Sequence, residues 1–168
     1  FCPPGAAVLL AVDDTLLHRL GRKVHATHWH HDATANSRQA AVAWGNNWVV
    51  IGIVVALPFL ERKICLPVLF GLWRPRRSAF TSAGKPDPER PAKAVLAGQM
   101  TALLAARLPG RQIDVVGDAA YATEAWRDRP ASVTITSRLR ANAAIFARKP
   151  PRTGKRGRPA LWGAKLAG

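Results

Sequence analysis

The chain has 168 residues, with 25 Lys or Arg and 10 Asp or Glu, and therefore a formal net charge of +15. Its hydrophobic fraction of 48% is typical of a globular protein and excludes a wholly disordered chain. The length suits one compact domain with a core of useful size. The longest apolar run, residues 48–60, is shorter than the roughly 18 residues of a membrane span and contains Gly52 and Pro58.

The excess of basic residues predicts a polyanionic partner, because cationic side chains release the counterions of nucleic acid when they bind it. A basic protein of the ribosomal type is the alternative that the composition leaves open. Two cysteines do not make a disulfide framework, so Cys2 and Cys65 are interpreted as reduced thiols of a cytoplasmic protein. The chain opens without Met and without a signal-peptide pattern and closes on a basic tail, which suggests a piece of a longer protein.

Three apolar stretches in the first half of the chain predict β-strands. Residues 6–12 form a continuous apolar run stopped by two aspartates, which predicts a buried strand whose end meets solvent. Residues 48–57 are rich in β-branched side chains and predict a central strand. Residues 63–73 predict another strand, in which Pro67 favours a bulge or an edge position. The polar residues 16–47 are interpreted as a long excursion, in the form of a hairpin with an exposed tip.

The second half of the chain alternates predicted helices and strands. The proline-rich residues 74–91 predict a linker, and apolar side chains at helical spacing predict a helix over about residues 92–108. Residues 112–117 and 132–138 predict strands, with a helical turn over residues 123–129 between them. Leading strands that pair antiparallel and a later strand that joins after a helix predict a mixed sheet with flanking helices. This is the α/β arrangement of an RNase H-like core.

Two aspartates occupy matching positions after apolar strands. Asp13 follows L-L-A-V, and Asp118 follows I-D-V-V-G. On adjacent strands the two carboxylates would repel each other unless a cation lay between them. Hard carboxylate oxygens suit Mg²⁺ or Mn²⁺, and a pair of such ions activates a nucleophile and stabilises a leaving oxygen in phosphoryl transfer. The alternative is structural, since an Asp after a strand also starts a turn or caps a helix.

Three motifs, taken together, resemble the core of insertion-sequence DDE transposases. They are A-V-D-D-T at residues 11–15, A-W-G-N-N-W-V-V at residues 43–50 and V-G-D-A-A-Y at residues 116–121. The order of the elements also fits, and the resemblance covers most of the chain. It implies an RNase H-like fold, DNA strand cleavage and transfer, and a triad of two Asp and one Glu that binds two divalent ions, Mg²⁺ or Mn²⁺.

By this resemblance Asp13 and Asp118 are the first two catalytic and metal-binding carboxylates, and Asp14 stays open as a substitute for Asp13. The third carboxylate departs from the family pattern, because residues 129–168 contain no Asp or Glu. Glu124, which follows Asp118 in the helical turn, is not favoured for this role. The chain therefore either stops before its Glu or comes from a decayed element. The implied partner is DNA, both element ends and target, bound by a homodimer in the bacterial cytoplasm at the nucleoid.

A histidine-rich stretch, H-A-T-H-W-H-H-D at residues 25–32, is a second candidate site. His25 and His28 have the i,i+3 spacing that suits zinc binding on a helix. No Cys accompanies them, however, and His30 and His31 would point to opposite faces of a strand. We therefore predict a mostly exposed hairpin loop that holds no structural metal.

Several tryptophans lie near this stretch and near the linker. Trp29, Trp44, Trp48 and Trp73 are interpreted as packing residues rather than as platforms on which nucleobases stack. Trp29, Trp44 and Trp48 are assigned to packing in the core or in the hairpin, and Trp73 to packing before the linker.

The last residues, 149–168, are predicted to form a basic Pro/Gly-rich tail outside a core domain of residues 1–148. Lys155, Arg156 and Arg158 lie in the sequence K-R-G-R-P and are the candidate DNA-binding residues. Its R-G-R-P part resembles an AT-hook, whose arginines enter the narrow minor groove of A·T-rich DNA. A flexible basic linker is the alternative, and either form would bind phosphate.

Three functions therefore remain open from the sequence. The first is a DDE transposase catalytic core, and the second is a non-catalytic basic DNA-binding module from a decayed element. The third is a zinc-dependent hydrolase centred on the histidines, which would require the histidine cluster to converge with Asp13 or Asp118.

Overall fold

The computed structural model of the chain describes residues 3, 5–21, 23–32, 34–35, 41–74, 90–151 and 161–167. The chain divides into two compact units, Phe1–Ser137 and Arg138–Gly168. The first unit contains a six-stranded sheet, and the second contains a two-stranded sheet. The predicted division into a core of residues 1–148 and a tail stays a prediction.

The first unit begins with four strands: β1 (Val8–His18), β2 (His28–His31), β3 (Val42–Val55) and β4 (Ile64–Trp73). Strand β3 runs antiparallel to β1, to β2 and to β4. Strand β4 pairs with β3 off the main path of the sheet, and the register shifts between Ile51 and Gly52, where Pro67 faces Gly52. The predicted edge position and the predicted bulge are both confirmed. They accommodate Pro67, which has no amide hydrogen to donate to the ladder.

The chain then crosses the sheet through helix α1 (Lys93–Arg107) and returns as β5 (Ile113–Gly117), which lies parallel to β1. Two 3₁₀ turns, Ala119–Tyr121 and Glu124–Trp126, lead to β6 (Val133–Ser137), which lies parallel to β5. The strand order is β2-β3-β1-β5-β6, with β4 beside β3. This mixed sheet with its crossover helix confirms the predicted α/β RNase H-like fold.

The core lies between α1 and one side of the sheet, called here the helix face; the opposite side is called the outer face. Alternate residues of β1 are buried because they point to the helix face. Gly71 of β4 lets the helix approach closely, since a Cβ there would meet Met100 and Leu96 of α1. The buried apolar residues are Val8, Leu10, Val12, Val49, Ile51, Ala94, Ala97, Met100, Ile113, Val115, Tyr121, Trp126 and Val133.

Two features differ from the prediction. Strand β1 does not stop at the aspartates but continues to His18, because β3 pairs with it as far as Gly45 and satisfies its backbone hydrogen bonds. The predicted polar excursion, residues 16–47, contains the strand β2 and the first residues of β3. Asp13 is therefore an interior residue of a strand and not the residue that ends it.

The second unit contains the short antiparallel pair β7 (Ile145–Phe146) and β8 (Lys165–Ala167). The rings of Phe146 and Trp162 stack with their centroids 6.0 Å apart. The candidate DNA-binding residues Lys155, Arg156 and Arg158 lie outside the described residues, as does most of the predicted linker.

Candidate active site

Asp13 and Asp118 occupy equivalent positions on neighbouring strands. The last register pair of the parallel strands β1 and β5 joins Val12 to Gly117, and each aspartate is the next residue along the chain: Asp13 within β1, and Asp118 directly after the end of β5. The backbones of paired strands lie about 4.8 Å apart, so the two side chains begin from adjacent points of the sheet. Both residues are exposed. The sheet therefore presents two carboxylates at one place that solvent can reach.

Each of these carboxylates uses one oxygen to hold the local backbone. Asp13 Oδ1 accepts a 2.8 Å hydrogen bond from the Asp14 amide, and Asp118 Oδ1 accepts one of 2.9 Å from the Ala120 amide. Asp118 is thus the N-cap of a 3₁₀ turn, which is the structural role that the sequence left open. Within the described part of the chain the Oδ2 atoms of both residues accept no hydrogen bond. The cap and a ligand role are therefore compatible, because each carboxylate keeps one oxygen.

Tyr121 marks the convergence of negative charge at this site. It is buried, with its Cβ against Gly117, where an added Cβ would lie 3.0 Å from Tyr121 and 3.0 Å from Val12. Burial raises the pKa of the Tyr121 phenol, and the charges of Asp14, Asp13 and Asp118 raise that pKa further. The phenol stays protonated at neutral pH, and three carboxylates act on it together.

Asp14 points to the helix face and forms an ion pair with Lys93. Its Oδ2 atom lies 2.6 Å from the Lys93 ammonium nitrogen and accepts a 3.0 Å hydrogen bond from the Asn47 side-chain amide. The Lys93 ammonium also lies 5.0 Å from the centroid of the Trp73 ring. Because Lys93 and Asn47 both hold Asp14, this residue joins the start of α1 to the centre of the sheet.

The histidine-rich stretch is divided between the two faces of β2. His30 is only 8% exposed, and its ring centroid lies 5.6 Å from that of Trp73, whereas His28 and His31 are exposed. Burial lowers the pKa of His30, and the positive charges of His28 and Lys93 lower it further. The predicted opposite orientation of His30 and His31 agrees with their burial. The prediction of a mostly exposed loop is wrong for His30, because β2 pairs with β3 and turns its ring toward the core.

Asp32, at the end of the histidine-rich stretch, is also buried, at 8% exposure. Its Oδ2 atom lies 2.9 Å from His18 Nε2, and its Oδ1 atom accepts hydrogen bonds from the backbone amide and the hydroxyl of Thr34. The Thr34 hydrogen bonds lower the pKa of Asp32, and His18 lowers it further. Asp32 therefore holds the end of β2 in place, where the sequence had predicted an exposed loop.

Across the described ranges, no group of three or more His, Cys, Asp or Glu side chains is arranged to hold a metal ion. The zinc-hydrolase alternative required the histidines to converge with Asp13 or Asp118, and it gains no support. Mg²⁺ is commonly held by one or two carboxylates together with water and substrate phosphate oxygens. The free oxygens of Asp13 and Asp118, exposed at one point of the sheet, fit an ion of this kind.

Some residues of the site were not singled out from the sequence. Asn47 and Tyr121 stand inside two of the motifs quoted above, so a signal existed for both. Lys93 had none, because it reaches Asp14 only through the crossover of the chain. Trp29 packs against Trp44 in the hairpin, as interpreted from the sequence, and it is nevertheless 62% exposed, because it lies on the outer face of the edge strand β2.

A family model described as DDE superfamily endonuclease matches residues 1–168. The chain therefore belongs to this family, and the predicted resemblance is confirmed. Membership indicates a function of the nuclease and transposase type, with DNA as the substrate. No curated protein and no solved structure matches the chain. Among the helices that the structure describes, none is both long and apolar enough to cross a membrane.

Proposed function

We propose that this member of the DDE superfamily endonucleases is the catalytic core of an insertion-sequence transposase that cleaves and transfers DNA strands with divalent metal ions. The observation that carries the proposal is the equivalent position of Asp13 and Asp118, one residue beyond the last register pair of β1 and β5. Two exposed carboxylates at one point of a sheet repel each other, and a bound Mg²⁺ or Mn²⁺ removes that repulsion.

In this proposal Asp13 and Asp118 hold the metal through the oxygens that do not bond to the backbone. When bound, a pair of divalent ions would activate the attacking oxygen and stabilise the leaving oxygen of the phosphodiester. Tyr121 stabilises the site through packing: its buried ring contacts Gly117, the last residue of β5, and so fixes the position of Asp118, which follows it. Asp14 and Lys93 keep α1 against the helix face while Asp13 stays on the outer face.

DNA binding in this proposal rests on charge. The net charge of the whole chain is +15, and this total includes Lys155, Arg156 and Arg158 of the tail, in the K-R-G-R-P sequence. Each phosphate that a basic side chain neutralises releases about 0.9 counterion from duplex DNA, so binding weakens steeply as salt rises. We extend the proposal to two DNA partners, the element ends and the target, held by a homodimer in the bacterial cytoplasm.

The second candidate is a non-catalytic DNA-binding module from a decayed element. The observation in its favour is that no Asp or Glu follows Asp128 in the sequence, so the third family carboxylate has no counterpart there. Two carboxylates hold a metal pair incompletely. A lost ligand reduces transition-state stabilisation, and each 1.36 kcal/mol lost slows the reaction tenfold.

Nicking of supercoiled plasmid DNA with Mg²⁺ separates the two candidates. The 168-residue chain is compared with a reading frame extended until it includes a Glu, each with Asp118→Asn and with the matched control Asp128→Asn, an exposed aspartate outside the site. The catalytic proposal expects nicking by the extended protein, lost with Asp118→Asn and kept with Asp128→Asn. No nicking by any extended frame, together with salt-sensitive DNA binding, supports the second candidate. Nicking that survives Asp118→Asn contradicts the assignment of the site.

A further inference from the structure

A pocket of about 340 Å³ on the outer face is lined by Arg19, Leu20, Trp29 and Trp44. It lies where β1 ends and where the edge strand β2 pairs with β3, at the register pair Trp29 with Trp44. Leu20 is fully exposed, and Trp29 is 62% exposed. An exposed leucine, an exposed tryptophan and the half-buried Trp44 around one pocket form an apolar site that folding alone does not explain.

The walls of the pocket are fixed by contacts within the chain. The Trp29 and Trp44 rings meet edge to face, with centroids 5.7 Å apart and planes at 66°. Trp44 Nε1 donates to the Gly21 carbonyl oxygen at 3.3 Å, and the Arg19 amide donates to the Trp44 carbonyl oxygen at 3.0 Å. The segment after β1 is therefore tied to β3, and the Trp29 ring stands beside a rigid partner.

The guanidinium of Arg19 is also held at the pocket. Its Nε atom donates a 3.1 Å hydrogen bond to Asn46 Oδ1, and Asn46 Nδ2 donates at 2.9 Å to the His25 carbonyl oxygen. Asn46 is only 3% exposed, so this anchor is a buried side chain. Within the described residues, the two terminal nitrogens of Arg19 donate no hydrogen bond. The pocket thus combines aromatic rings with a cation that is held in position through its Nε atom.

We propose that this pocket binds an unstacked nucleobase of a DNA strand, with Arg19 on the neighbouring phosphate; the inference rests on the proposed DNA-processing function. Aromatic side chains stack on any base, and an arginine beside them pairs with the backbone. Two tryptophans also suit a quaternary ammonium ligand, but Arg19 repels cations, and among the described residues no Asp or Glu lines the pocket. Bases inside a duplex are already stacked, so the ligand is a single strand, a frayed end or a flipped nucleotide.

The position of the pocket relates it to the candidate active site. Asp13 and Leu17 of β1 and Arg19, directly after this strand, are odd-numbered residues on the same outer face; the register pairs Leu17 with Asn46 and Asp13 with Val50. Arg19 lies six residues after Asp13 along extended chain, which is a span of about 20 Å. A DNA strand in B-form covers that span with about six nucleotides at 3.4 Å each. The pocket would therefore hold a base of the same strand whose phosphate lies at the aspartates.

Fluorescence anisotropy with labelled oligonucleotides tests the proposal on the 168-residue chain. The ligands are single-stranded dT12, an abasic strand of equal length that keeps the phosphates, and a 12-base-pair duplex, all at one salt concentration. We expect dT12 to bind about 5- to 150-fold more tightly than the abasic strand, the factor that corresponds to about 1–3 kcal/mol for one base stacked on an aromatic ring. Trp29→Ala should remove this preference and leave abasic binding unchanged.

Two controls keep the result interpretable. Trp162→Ala removes an equally exposed tryptophan of the second unit and should keep the preference for bases. Leu20→Asp puts a carboxylate at the pocket without changing a core residue and should also weaken dT12 binding. Leu161→Asp makes the same charge change at an exposed residue of the second unit and should weaken dT12 binding less. Equal binding of dT12 and the abasic strand, or a preference that survives both Trp29→Ala and Leu20→Asp, overturns the inference alone. No binding to any of the three DNAs contradicts the proposed function as well.

Discussion

The ammonium nitrogen of Lys93 lies 2.6 Å from a carboxylate oxygen of Asp14, and this ion pair joins the first residue of α1 to β1. A cation in the first turn of a helix is on the unfavourable side of the helix dipole. Helix α1 has no acidic residue in its first turn and no side-chain N-cap, so Asp14 supplies the missing negative charge from another element. The two adjacent aspartates of β1 therefore have different roles: Asp14 stabilises the fold through Lys93, and Asp13 is the proposed metal ligand.

We predict that Asp14→Asn and Asp13→Asn affect stability differently. Asp14→Asn leaves the part-buried Lys93 without its counter-ion and should lower the free energy of unfolding by about 1–3 kcal/mol. Asp13 is exposed, and Asp13→Asn should change that free energy by no more than about 0.5 kcal/mol. Urea unfolding followed by far-UV circular dichroism measures both. Equal losses from the two substitutions would show that the division of tasks is wrong.

Gly45 is predicted to admit no larger residue. A Cβ at this position of β3 would collide with the Leu17 carbonyl oxygen of β1, which is backbone and cannot turn aside. Gly45→Ala should therefore destabilise the first unit by about 1–3 kcal/mol. Gly98→Ala is the matched control, because its Cβ would meet only Ala125 at 3.5 Å and alanine favours the helix by about 1 kcal/mol. Thermal unfolding should show shifts of opposite sign, and a neutral Gly45→Ala contradicts the packing described here.

The burial of His30 predicts acid sensitivity. Its pKa is lowered, chiefly by burial and then by His28 and Lys93, so the unfolded chain takes up a proton at a higher pH than the folded chain does. The contribution of neutral His30 to the free energy of unfolding is complete above about pH 6.5 and is lost as the pH falls below that value. His30→Phe keeps a ring against Trp73 and should reduce the loss of stability between pH 7.5 and pH 5, measured by urea unfolding. The control His31→Phe changes an exposed histidine, and this variant should lose as much stability between pH 7.5 and pH 5 as the wild type does.

The tail is predicted to contribute to DNA binding through phosphate contacts. Arg156→Ala with Arg158→Ala should lower the slope of log K against log salt by about 2 for duplex DNA, because each arginine contributes about 0.9. An AT-hook would in addition lose its preference for A·T-rich over G·C-rich duplexes. The control is Arg107→Ala with Arg127→Ala, which has the same charge change and includes an arginine already paired with Glu124. If both double variants showed the same slope of log K against log salt, DNA binding would depend on net charge alone and not on the tail arginines.

The sequence predicted the elements whose signal is local. The β-branched run of β3 and the helical spacing of α1 both depend on near neighbours; α1 forms where expected, and β3 contains the predicted run but begins earlier, at Val42. Strand β2 escaped prediction because H-W-H-H has no apolar alternation and becomes a strand only by pairing with β3. The contact between Lys93 and Asp14 joins residues 79 positions apart, and no local pattern encodes it. Asp13 and Asp118 were found because each follows the apolar residues of a strand.

The central claim is that Asp13 and Asp118 form one divalent-cation site, and a double-mutant cycle of Mn²⁺ affinity tests it most directly. Free Mn²⁺ is followed by electron paramagnetic resonance with the wild type, Asp13→Asn, Asp118→Asn, the double variant and the control Asp128→Asn. If both carboxylates bind one site, each single substitution should weaken binding about tenfold or more, and the double variant should lose much less than the product of the two. Wild-type affinity in Asp118→Asn, or single losses that multiply in the double variant, would contradict the claim.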